Sequence, residues 1–173
     1  MTEQIKRTMD ALAHNRMNPH YVDTKAEVLP LVRSLLPEGC SVGVGGSMTL
    51  QETGVMELLR SGAYRFYDRY APDLTPEQRN EVFREAAFAE VFLCSSNAVT
   101  EQGELYNVDG HSNRIAALAF GPSRVVVIAG INKLVPDLPA AVQRVKEVAA
   151  PLNARRLHCD TYCNQAGHCL HPQ

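Results

Sequence analysis

The sequence predicts an α/β protein: a mainly parallel sheet flanked by helices, with one added hairpin. Short apolar runs typical of buried strands recur at residues 41–44, 91–94 and 125–129. Amphipathic stretches typical of helices separate these runs, an alternation expected of parallel strands covered on both faces. Residues 95–110 interrupt the alternation with turn-forming residues, which predict the hairpin.

Two helices are predicted ahead of the first strand. The first covers residues 2–16, within an N-terminal helical segment that we place at 1–22. The second begins near Thr24, because Thr24 and Glu27 have the spacing of a capping box. Pro30 falls inside this second helix and should kink it or delay its start.

Between the first and second apolar runs the pattern is again mostly helical. Residues 47–60 look helical with a break at Gly54, and residues 65–67 are a weak strand candidate. A further helix should run from Thr75 to about Ala89, since a threonine cap is followed by proline at the first helical position.

The remaining elements follow the predicted hairpin, which turns at Gln102–Gly103. Ser112 can cap a helix that runs to about Ala119. The last long helix is marked by apolar residues at alternating intervals of four and three, from Leu138 to Leu152.

Size and charge exclude several classes of protein. At 173 residues the chain has room for one sizeable core, so we expect a single α/β domain over residues 1–173. The net charge is −2 without blocks of like charge, which argues against a nucleic-acid partner. No apolar run approaches the roughly 20 residues needed to cross a membrane, and the N-terminus lacks a secretory pattern. We therefore expect a cytoplasmic protein without a membrane or nucleic-acid partner.

The loop after the first strand is the first candidate site. Gly45 and Gly46 allow a ligand to approach the backbone closely, and the next residues begin a helix. Unpaired amides there, with the hydroxyls of Ser47 and Thr49, would suit a phosphate or carboxylate. The glycine spacing matches neither a dinucleotide fingerprint nor a P-loop. The alternative is a tight turn in which Ser47 or Thr49 caps the helix and Glu52 closes a capping box.

The second candidate site spans residues 95–114, which are too polar for a core segment. Arg114 falls in the first turn of a predicted helix, where a cation opposes the helix dipole. An anionic ligand or a carboxylate partner would explain it, whereas ordinary turn formation explains only the Asn, Asp and Gly residues. The candidate ligand-binding residues here are Asn97, Thr100, Asn107, Asn113 and Arg114, with Asp109 as a candidate catalytic group.

The third candidate loop contains Asn132 and Lys133, directly after the strand at 125–129. A solvated loop lysine is the plain alternative. Because each of the three loops follows a predicted strand or its hairpin, all should emerge at one edge of a parallel sheet, where ligands bind in such folds. We expect Ser47, Arg114 and Lys133 to meet around one pocket.

The C-terminal segment, residues 158–173, is rich in thiols and imidazoles. Its Cys-x3-Cys-x5-Cys pattern could ligate zinc or an iron–sulfur cluster, although three thiols make an incomplete set. The candidate metal ligands are Cys159, Cys163 and Cys169, with His158, His168 and His171 nearby.

Three stretches in order resemble the LUD domain (DUF162) family, lactate utilisation protein C / YkgG type. They are VGVGGSMTLQETG (42–54), SSNAVTEQGELYNVDGHSNRIAALAFGP (95–122) and VVVIAGINKLVPDLPAAVQRVKEVAAPLNARRL (125–157). The resemblance implies a fold like that of the NagB/RpiA/CoA-transferase superfamily. It also implies a link to bacterial L-lactate oxidation to pyruvate, with iron–sulfur partner subunits. The family commonly has further cysteines after a Cys-x5-Cys, so we expect a shortened form or a degenerate cysteine site.

The resemblance and the loops together lead to one function hypothesis and two alternatives. The hypothesis is a lactate-utilisation component that binds a small anionic metabolite in a crevice at the strand ends. If it is an enzyme, Glu52, Asp109 and Lys133 are the candidate catalytic residues, a carboxylate acting as base or nucleophile while Lys133 or Arg114 holds the anion. The alternatives are an accessory or regulatory binding module, and an isomerase- or CoA-transferase-like enzyme of the same fold. A homo-oligomer remains open.

Overall fold

A computed structural model describes residues 1–170 of the chain. These residues form two compact units, each built from separate pieces of sequence. The hairpin unit contains Met1–His20, Ser96–Val108 and the described residues from Gly130 onward. The parallel-sheet unit contains Tyr21–Ser95 and Asp109–Ala129.

The helices and strands alternate along the chain much as the apolar pattern predicts. Their bounds are α1 (Glu3–His14), α2 (Lys25–Leu35), β1 (Ser41–Val44), α3 (Met48–Glu52), α4 (Val55–Arg60), β2 (Arg65–Phe66), α5 (Pro76–Ala87), β3 (Val91–Cys94), β4 (Ala98–Thr100), β5 (Leu105–Tyr106), α6 (Asn113–Ala119), β6 (Arg124–Val127), a 3₁₀ turn (Ile131–Lys133), β7 (Leu134–Val135), α7 (Leu138–Arg144), a π segment (Val145–Ala149), α8 (Ala150–Arg156) and α9 (Tyr162–Ala166).

The parallel-sheet unit is organised around four strands in the order β2-β1-β3-β6, and every neighbouring pair is parallel. Both central strands, β1 and β3, are buried along their whole length. Gly43 on β1 lies so close to α5 that a Cβ atom there would sit 2.3 Å from the carbonyl oxygen of Ala86. The predicted parallel α/β sheet flanked by helices is confirmed.

Helix ends in this unit form where the sequence predicts them. The Glu27 carboxylate accepts a hydrogen bond from the Thr24 amide at 2.9 Å, as a capping box requires. The second helix already begins at Lys25, so the expectation that Pro30 delays its start is wrong. Gly54 adopts a positive φ of 74° and separates α3 from α4, as predicted.

The hairpin unit has its own three-stranded sheet, in the order β5-β4-β7. Antiparallel pairing of Ala98 with Tyr106 confirms the predicted hairpin. Helix α1 packs against the turn of this hairpin: the side-chain amide of Asn15 donates to the backbone carbonyls of Gln102 and Gly103 at 3.0 and 3.2 Å. Strand β7, which pairs in parallel with β4, has no counterpart in the sequence prediction.

The predicted long C-terminal helix contains a π segment between α7 and α8. Its register change directly precedes Pro151, which has no amide hydrogen to donate back to the preceding turn. In a π helix, an amide at position 151 would donate to the carbonyl five residues earlier, which is that of Lys146. The Lys146 carbonyl instead accepts a hydrogen bond from the Cys169 backbone amide at 2.8 Å. The C-terminal segment thus supplies the donor that Pro151 lacks.

None of the helices within residues 1–170 combines the length and apolar character needed to cross a bilayer.

Candidate anion-binding sites at the strand ends

The glycine loop after β1 is held tightly in the parallel-sheet unit. The Gly45 amide donates to the Leu93 carbonyl at 2.9 Å, so pairing with β3 continues past the end of β1. A Cβ atom at Gly45 would lie 3.2 Å from the Cys94 side chain and 3.7 Å from the Arg114 stem. Close packing therefore explains Gly45, and Gly46 follows it in the same loop.

The helix after this loop is capped by one of the two predicted hydroxyls. Ser47 is the N-cap of α3, and its Oγ accepts from the Leu50 amide at 3.4 Å. The alternative of a turn capped by Ser47 is therefore observed, but Leu50 occupies the third position of the helix, so the expected closing of a capping box by Glu52 is wrong. Glu52 lies at the end of α3, half-exposed, with its carboxylate 2.8 Å from the Lys25 amine. Thr49 lies in the first turn of the same helix.

Arg114 and Asp109 form a buried ion pair in the parallel-sheet unit, their side chains 11% and 9% exposed. Arg114 donates from Nε to Asp109 at 2.8 Å and from Nη1 to the Ser95 carbonyl, at the end of β3, at 2.9 Å. The second Asp109 oxygen accepts from the Ile115 amide at 2.9 Å. Of the two explanations for Arg114, the structure therefore shows the carboxylate partner.

Asp109 also performs the capping task that the sequence assigns to Ser112. Ser112 has a φ of 57° and its side chain makes no cap hydrogen bond. The Asp109 carboxylate accepts from an amide in the first turn of α6 instead. Ser112 thus occupies the N-cap position, as predicted, but the side chain that caps the helix belongs to Asp109, and Asn113 begins the helix.

In the hairpin unit, two asparagines join the chain before β4 to the chain after β5. The backbone amide of Asn97 donates to the side-chain carbonyl of Asn107 at 3.2 Å. The side-chain carbonyl of Asn97 accepts from the backbone amide of Val108 at 2.8 Å. Thr100 is fully buried and hydrogen-bonds Glu104 across the hairpin turn. The asparagines thus lie at one end of the hairpin, with Thr100 in its interior near the turn.

The third predicted loop lies at the same end of this small sheet as Asn97. Lys133 closes a 3₁₀ turn by donating its amide to the Gly130 carbonyl at 3.0 Å. Strand β7 begins at the next residue, and its Leu134 pairs in parallel with Val99 of β4. Because parallel strands start at the same edge, the residues that precede β4 and β7 are brought together.

Arg144 is a candidate that the sequence analysis missed. It ends α7 and is half-buried. Its guanidinium donates to two backbone carbonyls, from Nε to Asn132 at 3.1 Å and from Nη1 to Asn97 at 2.5 Å. Desolvation by burial lowers the pKa of Arg144 below the usual arginine value. One side chain therefore links both polar loops of the hairpin unit.

The C-terminal cysteines do not assemble into a metal centre within residues 1–170. All three are free thiols of intermediate exposure, and Cys163 lies 3.3 Å from the Thr161 hydroxyl. No group of three or more His, Cys, Asp or Glu side chains in the described part of the chain is placed to hold a metal ion. His171 lies outside the described residues.

Comparison with known protein families identifies the chain. The model of the LUD domain matches residues 5–170 and so includes both units. The chain belongs to the LUD domain family. This family is associated with lactate utilisation proteins. No curated protein and no solved structure matches the chain.

The LUD domain thus carries its sequence-predicted residues in two groups. The parallel-sheet unit holds the glycine loop, Glu52, Asn113 and the Arg114–Asp109 pair. The hairpin unit holds the other candidates, which are Asn97, Thr100, Asn107, Asn132 and Lys133. That Ser47, Arg114 and Lys133 share one pocket stays a prediction. No local pattern in the sequence singles out Arg144, because its acceptors belong to residues 12 and 47 positions away in the chain.

Proposed function

We propose that this LUD domain binds a small carboxylate metabolite, such as a 2-hydroxy or 2-oxo acid, as a component of a lactate-utilisation system. The observation that carries the proposal is the convergence of two polar loops at the start of β4 and β7. These loops contain Asn97 and Lys133, and Asn107, directly after β5, accepts a hydrogen bond from the Asn97 backbone amide. The family's association with lactate utilisation supports the choice of metabolite.

The donors at this end of the hairpin unit match the chemistry of such a ligand. A lysine ammonium attracts a carboxylate, and asparagine amides can both donate to and accept from a hydroxyl or keto oxygen. Ligand sites in α/β proteins commonly place a few such polar groups on loops held by rigid elements. Here β4, β7 and α7 provide that support.

A non-catalytic binding module is the second candidate function. The two carboxylates proposed as catalytic are both engaged by cations, Asp109 by Arg114 and Glu52 by Lys25. Both oxygens of Asp109 are engaged within the fold, one by the Arg114 guanidinium and the other by the Ile115 amide, so this carboxylate has a structural role. This favours ligand binding that regulates assembly with iron–sulfur partner subunits over acid–base catalysis by Asp109.

Isothermal titration calorimetry with L-lactate and pyruvate tests the proposal. The purified protein should bind at least one of them, and Lys133→Met should weaken that binding about tenfold, the equivalent of about 1.4 kcal/mol. Lys6→Met is the matched control, since Lys6 is an exposed lysine on α1 of the same unit and should leave affinity unchanged. Absence of binding at millimolar ligand, or equal losses from both variants, would overturn the proposal.

A further inference from the structure

Arg144 combines three properties that ordinary surface arginines lack. It is half-buried, it holds two loops together, and both of its protein acceptors are neutral. Among the described residues, its guanidinium donates only to the backbone carbonyls of Asn97 and Asn132, at 2.5 and 3.1 Å. Within residues 1–170, no carboxylate forms an ion pair with it.

The helix that carries Arg144 does not neutralise its charge either. A cation is stabilised near a helix C-terminus by the free carbonyls of the last turn. Although α7 ends at Arg144, the helical path continues through the π segment and α8 to Arg156. The free carbonyls therefore lie about three turns further on, and a partly desolvated positive charge remains beside the two polar loops.

The guanidinium of Arg144 keeps N–H groups with which it can recognise a carboxylate. The two carbonyl contacts use Nε–H and one hydrogen of Nη1, so the other Nη1 hydrogen and both on Nη2 remain. No fully buried side-chain nitrogen within residues 1–170 lacks a partner, which means that Nη2 reaches accessible space. Parallel N–H groups on Nη1 and Nη2 form a fork that matches two carboxylate oxygens.

We propose that Arg144 anchors the carboxylate group of the ligand at the convergence of the loops around Asn97 and Asn132. The inference rests on the proposed function and names the residue that recognises the charged end of the ligand. Lys133, adjacent to Asn132, then lies next to the same group. A bound carboxylate supplies the counter-charge that the described residues do not give to Arg144.

A neutral analogue of the ligand separates charge recognition from loop support. L-lactate and L-lactamide differ only in a carboxylate or an amide, so a loss of loop structure would weaken both to the same extent. The wild-type protein should bind L-lactate at least tenfold more tightly than L-lactamide, and Arg144→Gln should remove that preference. Arg155→Gln, an exposed arginine on α8, is the control and should preserve it.

Each outcome of the calorimetry distinguishes this inference from the proposed function. If Arg144→Gln keeps the preference or weakens both ligands equally, the inference is overturned and the proposed function stands. If the wild type binds neither L-lactate nor pyruvate but binds inorganic phosphate through Arg144, the proposed function falls and the anion site stands. If no probe binds, both are overturned.

Chemical modification provides a measurement that needs no folded variant. Phenylglyoxal reacts with accessible arginine side chains, and mass spectrometry of peptides locates each modified residue. L-lactate should slow the modification of Arg144 in the wild-type protein at least fivefold and leave Arg155 unaffected. An unchanged rate at Arg144 under saturating L-lactate would overturn the inference.

Discussion

Replacing Asp109 by alanine should strongly destabilise the parallel-sheet unit. The substitution leaves the Arg114 cation in a site where its side chain is only 11% exposed. Breaking a buried ion pair by removing one partner costs about 3–5 kcal/mol. Losing the acceptor of the Ile115 amide, which serves as a helix cap, adds about 1 kcal/mol. We therefore expect a loss of about 4–6 kcal/mol.

Urea denaturation followed by circular dichroism measures this loss. With a slope of about 2 kcal/mol per molar urea, the unfolding midpoint should fall by about 2–3 M. Glu81→Ala is the matched control, because Glu81 pairs with Arg84 on the surface, with side chains 64% and 72% exposed. An exposed pair contributes about 0–1 kcal/mol, so this midpoint should move by less than about 0.5 M.

A double substitution identifies the cause of the loss. Replacing Asp109 and Arg114 together by alanine removes the uncompensated charge, so the double variant should be less destabilised than the sum of the two single variants. The reasoning is refuted if Asp109→Ala costs no more than Glu81→Ala, or if the two single effects simply add.

Two further substitutions test the packing and the electrostatics of the same unit. Gly43→Ala should destabilise the protein by about 1–3 kcal/mol, because its Cβ would lie 2.3 Å from the Ala86 carbonyl oxygen. Gly110→Ala is the control: its Cβ meets open space, so the urea midpoint should change little. Equal urea midpoints for the two variants would contradict the packing argument. Hydrogen bonds from the Ser41 amide and hydroxyl, at 2.8 and 3.0 Å, lower the pKa of Glu90. The ionised Glu90 carboxylate therefore stabilises the fold at neutral pH. This stabilisation disappears as pH falls through and below the usual glutamate pKa of about 4.3. Thermal unfolding temperatures of Glu90→Gln and wild type should therefore converge between pH 6 and pH 3, and a constant difference would show that Glu90 acts by another route.

Local patterns in the sequence predict most of the secondary structure. Apolar runs locate β1 and β3, and the cap at Thr24 locates the start of α2, because these features depend on residues close in the chain. Strand β7 escapes such reasoning: it has only two residues, and it exists because it pairs with β4 more than thirty residues earlier.

The candidate site shows the same division between local and distant effects. The sequence identified the polar loops and indicated that Arg114 needs an anionic ligand or a carboxylate partner. Asp109, five residues away, is that carboxylate. Arg144 was missed because a charged residue on a helix is ordinarily solvated. Its acceptors, at Asn97 and Asn132, come next to it only in the folded chain.

The interleaved arrangement of the two units has a consequence for synthesis on the ribosome. Helix α1 packs on a turn almost ninety residues further along the chain. Strand β4 can pair with β7 only after β7 has been synthesised, which happens later still. The hairpin unit cannot close until the ribosome has released the segment after Gly130, so α1 emerges long before its docking surface exists. The contacts of α1 with the hairpin turn and of β4 with β7 join distant segments. Such long-range contacts slow folding and prolong the exposure of apolar surface in the nascent chain. A chaperone that shields α1 and the unpaired edge of β4 would have the most to contribute during that interval.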